Sequence, residues 1–209
     1  MNPSRISVIK LSLMFCFLIN LFCLAAANAG EEAKKPELAK YKQTTLGLYV
    51  TAAEAYEKWQ AAPDSIIILD VRTLEEYIFV GHAPMSRNVP LYYQTDDWNT
   101  EKGRYNMQPN SDFVSQVKQV ASPDETLLVM CRSGGRGAMA VNQLAEAGFS
   151  QVYNIVDGME GDAIDDPESV FQGQRLKNGW KNSGLPWTYK IDPDRLPLTA
   201  TEGVNHDSE

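Results

Sequence analysis

The chain has 209 residues, and its 27 Asp and Glu outweigh 19 Lys and Arg to give a formal charge of −8. A balance that acidic argues against nucleic acid or an anionic membrane surface as partner. The length and a 44% hydrophobic content suit one domain with a sizeable core.

The N-terminus reads as an export signal. Arg5 and Lys10 form a short basic region, residues 11–27 are apolar, and Ala27-Asn28-Ala29 is a small-x-small cleavage pattern. Cleavage after Ala29 is expected, which sends the mature chain to the periplasm or another exported location. The alternative is a retained membrane anchor, but the apolar run is short for a span of roughly 20 residues. A lipid anchor on Cys16 or Cys23 is disfavoured by the bulky Phe15 and Phe22 before them. The signal holds two basic and no acidic residues, so its removal takes the charge from −8 to −10 and leaves 180 of 209 residues. It also leaves Cys131 as the only thiol. No intramolecular disulfide is then possible, although the compartment is oxidising. A leftover cysteine in an exported protein implies intermolecular pairing or a free reactive thiol. The plainer alternative is a small buried core residue.

Residues 30–45 are charged and read as a tether, residues 46–190 as the folded domain, and residues 191–209 as a polar, flexible tail. Within the domain, strands and helices alternate. Residues 48–50 read as a short strand, and Thr51-x-x-Glu54 opens a helix with a capping box and an apolar stripe of Ala52, Tyr56 and Trp59. Residues 65–70 form a continuous apolar strand of the parallel-sheet kind. Thr73-x-x-Glu76 caps a second helix, and the turn Gly81-His82-Ala83-Pro84 leads to a strand at 87–89. Residues 110–120 read as a helix with Phe113, Val117 and Val120 on one face, and residues 126–130 as another strand. The helix predicted over 137–147 ends at Gly148, a C′ glycine, before a last strand at 152–156. This alternation predicts an α/β fold whose central, mostly parallel sheet is flanked by helices on both faces. Ligands of such sheets bind outside the carboxyl ends of the strands, where both Asp70 and Cys131 fall.

The run Cys131-Arg132-Ser133-Gly134-Gly135-Arg136 joins the strand at 126–130 to the helix after it. Backbone N–H groups of such a loop surround the sulfur, which faces the positive end of the helix dipole. That is the setting of a nucleophilic cysteine. Gly134 and Gly135 permit a tight curl through positive φ. Arg132 and Arg136 add positive charge for an anionic substrate. Arg132 reads as solvent-facing beside the sulfur, and Arg136 as an anion stabiliser in preference to a purely structural ion pair. Asp70 and Arg72 read as a supporting buried pair that holds a strand end. No His, Cys, Asp or Glu cluster has metal-ligand spacing, so neither a metal nor another cofactor is expected.

Further stretches complete a resemblance: Ile68-Leu69-Asp70-Val71-Arg72 with Glu75-Glu76-Tyr77, Gly81-His82-Ala83-Pro84 through Asn88-Val89-Pro90-Leu91, and Val156-Asp157-Gly158-Met159 with Trp180 and Gly184-Leu185-Pro186. With the cysteine loop, these resemble a single-domain rhodanese-like sulfurtransferase over residues 46–187. The resemblance implies a persulfide on Cys131, taken from a small anionic donor such as thiosulfate or polysulfide. A thiol, a protein acceptor or cyanide then receives the sulfur. Such a route needs a nucleophile and anion stabilisation but no histidine base. His82 lies in a turn and His206 in the tail, so a Cys–His pair is not expected. Cysteine phosphatases are closer competitors, but their Cys-x5-Arg loop is one residue longer than the spacing from Cys131 to Arg136. A non-catalytic carrier or sensor of polysulfide that serves a redox partner would show the same loop. An intact Cys131 argues against a purely structural module.

Two stretches depart from a compact domain of this kind. Residues 92–112 are polar and aromatic, with Tyr92, Tyr93 and Trp98, and read as a loop that either walls the site, makes a partner surface or packs on the body. Residues 162–179 read the same way; Asp162, Asp165 and Asp166 lack the order of a calcium loop.

Overall fold

The computed structural model describes residues 37–196. The expected signal at 1–29 and the tail beyond 196 lie outside the described residues. In chain order the elements are β1 (Tyr49–Val50), α1 (Ala52–Ala61), β2 (Ile66–Asp70), α2 (Leu74–Phe79) and β3 (Arg87–Asn88). Then follow β4 (Tyr92–Asn99), β5 (Arg104–Pro109), α3 (Phe113–Val120), β6 (Thr126–Met130), α4 (Gly135–Glu146) and β7 (Val152–Ile155).

Five strands form one parallel sheet in the order β1-β7-β6-β2-β3. The continuous apolar runs of β2 and β6 lie at its middle because both of their faces are buried. Leu69, Leu127 and Val129 pack with Phe113 and Val117 of α3 and Val141 and Leu144 of α4. Their neighbours Ile68, Leu128 and Met130 point the other way, into Ala52 and Ala55 of α1 and the fully buried Trp180. Helices therefore cover both faces, as the alternation of elements predicts. Both expected capping boxes form: Thr51 and Glu54 start α1, and Thr73 and Glu76 start α2.

Three expectations change. Residues 92–112, read as a loop, contain the antiparallel hairpin β4–β5, with Trp98 opposite Tyr105 and a register shift between Gln94 and Trp98. Part of the expected tether is built into the domain. Lys40–Lys42 forms a 3-10 helix, and Lys42 is buried because its ammonium reaches Asp162 at 2.7 Å. The start of the expected tail is held as well, since Arg195 donates to the Met85 carbonyl at 2.7 Å and Arg87 to the Asp194 carbonyl at 2.9 Å.

Candidate active site

The central strand β6 ends at Met130 and delivers Cys131 to the carboxyl edge of the sheet. Gly134, at φ 92°, turns the chain so that α4 starts at Gly135, two residues earlier than the sequence suggested. A Cβ on Gly134 would collide with the Val156 carbonyl, so no other residue fits. The loop carbonyls face away from the sulfur. Met159 N–H donates to the Cys131 carbonyl at 2.8 Å, and Glu160 N–H to that of Arg132 at 2.9 Å. Gly158 permits this contact, because a Cβ there would strike the same carbonyl. With two of its carbonyls held in this way, the loop brings one backbone N–H to the sulfur. Gly134 N–H donates to Cys131 Sγ at 3.1 Å. The sulfur thus sits at the N-terminus of a 12-residue helix, where the dipole favours negative charge.

Cys131 is 1% exposed and forms part of a cavity of about 650 Å³. Arg132, Ser133, Gly135 and Arg136 line it on the loop side, with Glu76 and Met139 beside them. The opposite wall is the hairpin, through Tyr92, Gln94, Trp98, Arg104, Tyr105 and Met107, and Tyr41 from the N-terminal segment completes the lining. The hairpin thus serves the first of the roles open to residues 92–112.

Arg136 is placed differently from the expectation. Its two terminal nitrogens donate to the two Glu76 oxygens, each at 2.6 Å, so its charge is already matched. Burial opposes both charges, but their pairing outweighs it. Glu76 is held below the ordinary carboxylate range, and the Arg136 guanidinium is held more firmly protonated. The capping box and the family resemblance both single out Glu76 but give no sign of Arg136, and its Oε2 also accepts from Thr73 N–H at 3.1 Å. One carboxylate therefore starts α2 and anchors the first turn of α4. Arg132 is exposed and lines the cavity. Neither it nor Arg104 has an ion-pair partner among the described residues.

Asp70 and Arg72 do not line the cavity. They form a fully buried pair at 2.6 Å at the end of β2, and Arg72 also donates to the Gly81 carbonyl at 2.9 Å. Burial opposes the Arg72 charge, yet Asp70 more than compensates and keeps the guanidinium protonated. Asn88 binds the backbone carbonyls of both, each at 3.0 Å. Asn154, which sequence reasoning passed over, does a similar job for the loop. Its amide donates to the Gly134 carbonyl at 3.1 Å and the Lys42 carbonyl at 3.0 Å. His82 is buried and stacked on Tyr77 with ring centroids 3.8 Å apart, and it does not line the cavity. Residues 162–179 also stay off the cavity lining. There Ala163 bridges Arg175, and Arg175 donates to the Gly161 carbonyl at 2.6 Å.

A sheet of this order, with a cysteine loop wrapped on a helix N-terminus, defines a class. The Rhodanese-like domain model matches residues 51–163, more than half of the chain, and the chain belongs to that family. Among its relatives, the Arabidopsis thaliana protein HIGH ARSENIC CONTENT 1, mitochondrial, is 40% identical over 90 residues, which are 43% of this chain and 48% of that one. Thiosulfate sulfurtransferase 16, chloroplastic, from the same plant is 39% identical over 90 residues, 43% of this chain and 68% of the relative. The match thus spans about half the length of the first relative and about two thirds of the second. The crystal structure of Rv0390 from M. tuberculosis aligns with a TM-score of 0.53 at 27% identity, over 68% of this chain and 96% of that one.

Proposed function

We propose that the protein is a sulfurtransferase that carries sulfane sulfur on Cys131 as a persulfide. The observation that supports this most is the sulfur itself, bound by Gly134 N–H at 3.1 Å on the N-terminus of α4 and bordering a cavity. In the first half-reaction the Cys131 thiolate attacks the outer sulfur of thiosulfate. Its S–S bond breaks, and sulfite leaves with the electron pair. In the second, a thiolate or cyanide attacks the terminal sulfur of the persulfide, and the Cys131 thiolate departs with the electron pair. Neither step requires a general base. The loop N–H groups and the dipole of α4 stabilise the negative sulfur in each. The same chemistry accepts polysulfide as donor. Export is part of this reading and rests on residues 1–29 alone, with their basic start, apolar stretch and small-x-small end.

The test is an intact mass of the mature protein after exposure to thiosulfate or polysulfide, with Cys131→Ser in parallel. A gain of one sulfur atom, reversed by cyanide and missing from the variant, is the expected result. No gain from either donor would sink the reading. A stable persulfide that no free acceptor discharges would identify a carrier for a protein partner.

A further inference from the structure

One glycine of the cysteine loop is not required by its backbone. Gly134 turns at φ 92°, but Gly135 has no positive φ and stands as the first residue of α4. The conformational freedom of glycine therefore goes unused there. What Gly135 provides is room. A Cβ at this position would come within 3.3 Å of Tyr41 Cδ2 and 3.6 Å of its Cε2. The phenol ring thus lies against the first turn of α4, and it lines the cavity that Cys131 borders.

Tyr41 is 64% exposed, so little of its own surface is packed. The backbone that carries it is nonetheless fixed. It belongs to the 3-10 turn Lys40–Lys42, which precedes the family-matched residues 51–163. Lys42 is buried, and its ammonium reaches Asp162 at 2.7 Å. The Lys42 carbonyl accepts from the Asn154 amide at 3.0 Å, and the same amide donates to the Gly134 carbonyl at 3.1 Å. Three residues on, Thr45 N–H donates to the Asn142 side chain of α4 at 2.9 Å. One amide thereby ties the turn under Tyr41 to the residue whose N–H binds the sulfur.

Resting on the sulfurtransfer reading, we propose that Tyr41 is a positioning residue of the site and that Lys42 and Asp162 are the latch that seats it. Its ring roofs the first turn of α4 and keeps water from the backbone N–H groups that face the anionic sulfur. Those groups have no partner within the helix, so water and the anion compete for them. Attraction between an anion and N–H dipoles grows as the local dielectric falls, and a ring over the turn lowers it. The work belongs to the ring and not to the hydroxyl.

The probe is thiosulfate, titrated by calorimetry into Cys131→Ser protein, where no sulfur can be transferred. Adding Tyr41→Ala should weaken its binding about fivefold, and Tyr41→Phe in its place should recover most of that loss. Asp162→Asn should weaken binding about two- to threefold, and should add nothing to Tyr41→Ala, because the latch acts through the ring. With Cys131 intact, Tyr41→Ala should lower the second-order rate of sulfur loading about five- to tenfold, short of the ~10²-fold lost with a direct anion-hole donor. The melting temperature should stay within about 2 °C of the parent, as for other exposed side chains. Thiosulfate binding that ignores Tyr41→Ala, a loss that Tyr41→Phe does not recover, or no binding at all overturns the shield. A loss from Asp162→Asn that adds in full to that of Tyr41→Ala overturns the latch. Ring-dependent binding, with no sulfur gained by wild-type protein, supports the shield and overturns the sulfurtransfer reading instead.

Discussion

The cysteine loop and the β4–β5 hairpin line the same cavity, yet they are built in opposite ways. The loop is backbone architecture, with carbonyls held by Met159 and Glu160, a glycine at φ 92° and an amide contact to the sulfur. Its side chains are few, and Arg136 among them is tied to Glu76. The hairpin is side-chain architecture, with aromatic groups left half exposed and an arginine without an ion-pair partner among the described residues. The loop's shape is set by backbone contacts, whereas the hairpin wall is set by side chains that can change without disturbing that backbone.

The largest expected effect comes from removing the sulfur. Cys131→Ser should lower sulfur transfer by about 10³-fold or more, because the hydroxyl cannot hold the persulfide. The melting temperature should stay close to that of the wild type, since the hydroxyl is nearly isosteric. A discontinuous assay for thiocyanate, paired with a thermal melt, checks both. Residual turnover within tenfold of the wild type would move the reaction to another group.

Gly134→Ala comes next, and it strikes the geometry without touching the thiol. A side chain at φ 92° costs about 1–3 kcal/mol in backbone strain, and the Val156 carbonyl must also move. At 2–4 °C per kcal/mol, a melting drop of roughly 2–12 °C is expected from the strain alone. Transfer should fall with it, because the N–H donor to the sulfur is displaced. If the melt drops while kcat holds, that hydrogen bond is not part of the chemistry.

Glu76→Gln tests the ion pair that joins the two capped helices. Leaving Arg136 half-buried without its counter-charge should cost about 1–3 kcal/mol near pH 7. The sign with pH follows from the lowered Glu76 carboxyl. Its folded-state value lies below the unfolded one, so its contribution is complete above the ordinary carboxylate range of about 4.3 and is lost as pH falls through the folded-state value. Wild type and variant should therefore differ most at neutral pH, and the difference should shrink as pH falls below the ordinary carboxylate range toward the lower folded-state value of Glu76. Melts taken from pH 3 to 8 check this, and a constant difference across that range would remove Glu76 as the titrating partner.

The parts of the molecule that the sequence made legible are those held by local rules. The apolar runs of β2 and β6 point to a parallel sheet, the two Thr-x-x-Glu boxes mark helix starts, and Cys131 ahead of two glycines marks the loop. The parts that stayed hidden depend on distant partners. Glu76 meets Arg136 across 60 residues of chain, so the capping box gave no sign of it. Lys42 reads as tether because nothing nearby says that its ammonium will reach Asp162. The hairpin escaped for a different reason. Strands announce themselves through a buried face, and β4–β5 has almost none, since one side borders the cavity and the other is open.

That absence of a buried face gives the smallest effect and the sharpest one for the contrast between the two walls. Trp98 is 51% exposed, and Tyr105 is its ring partner, edge to face at 5.1 Å. Trp98→Ala should therefore cost no more than about 1 kcal/mol, the value of an exposed aromatic pair. In a domain of this size the melt should move by no more than about 4 °C. An indole held for the fold would behave otherwise, because truncating a packed tryptophan costs about 3–5 kcal/mol. A melt lowered by more than 8 °C would mean that the hairpin is a structural buttress of the cysteine loop, and the division of labour between the two walls would not stand. A near-silent melt leaves the exposed indole without a structural duty, and the cavity in front of it is then the reason for its position.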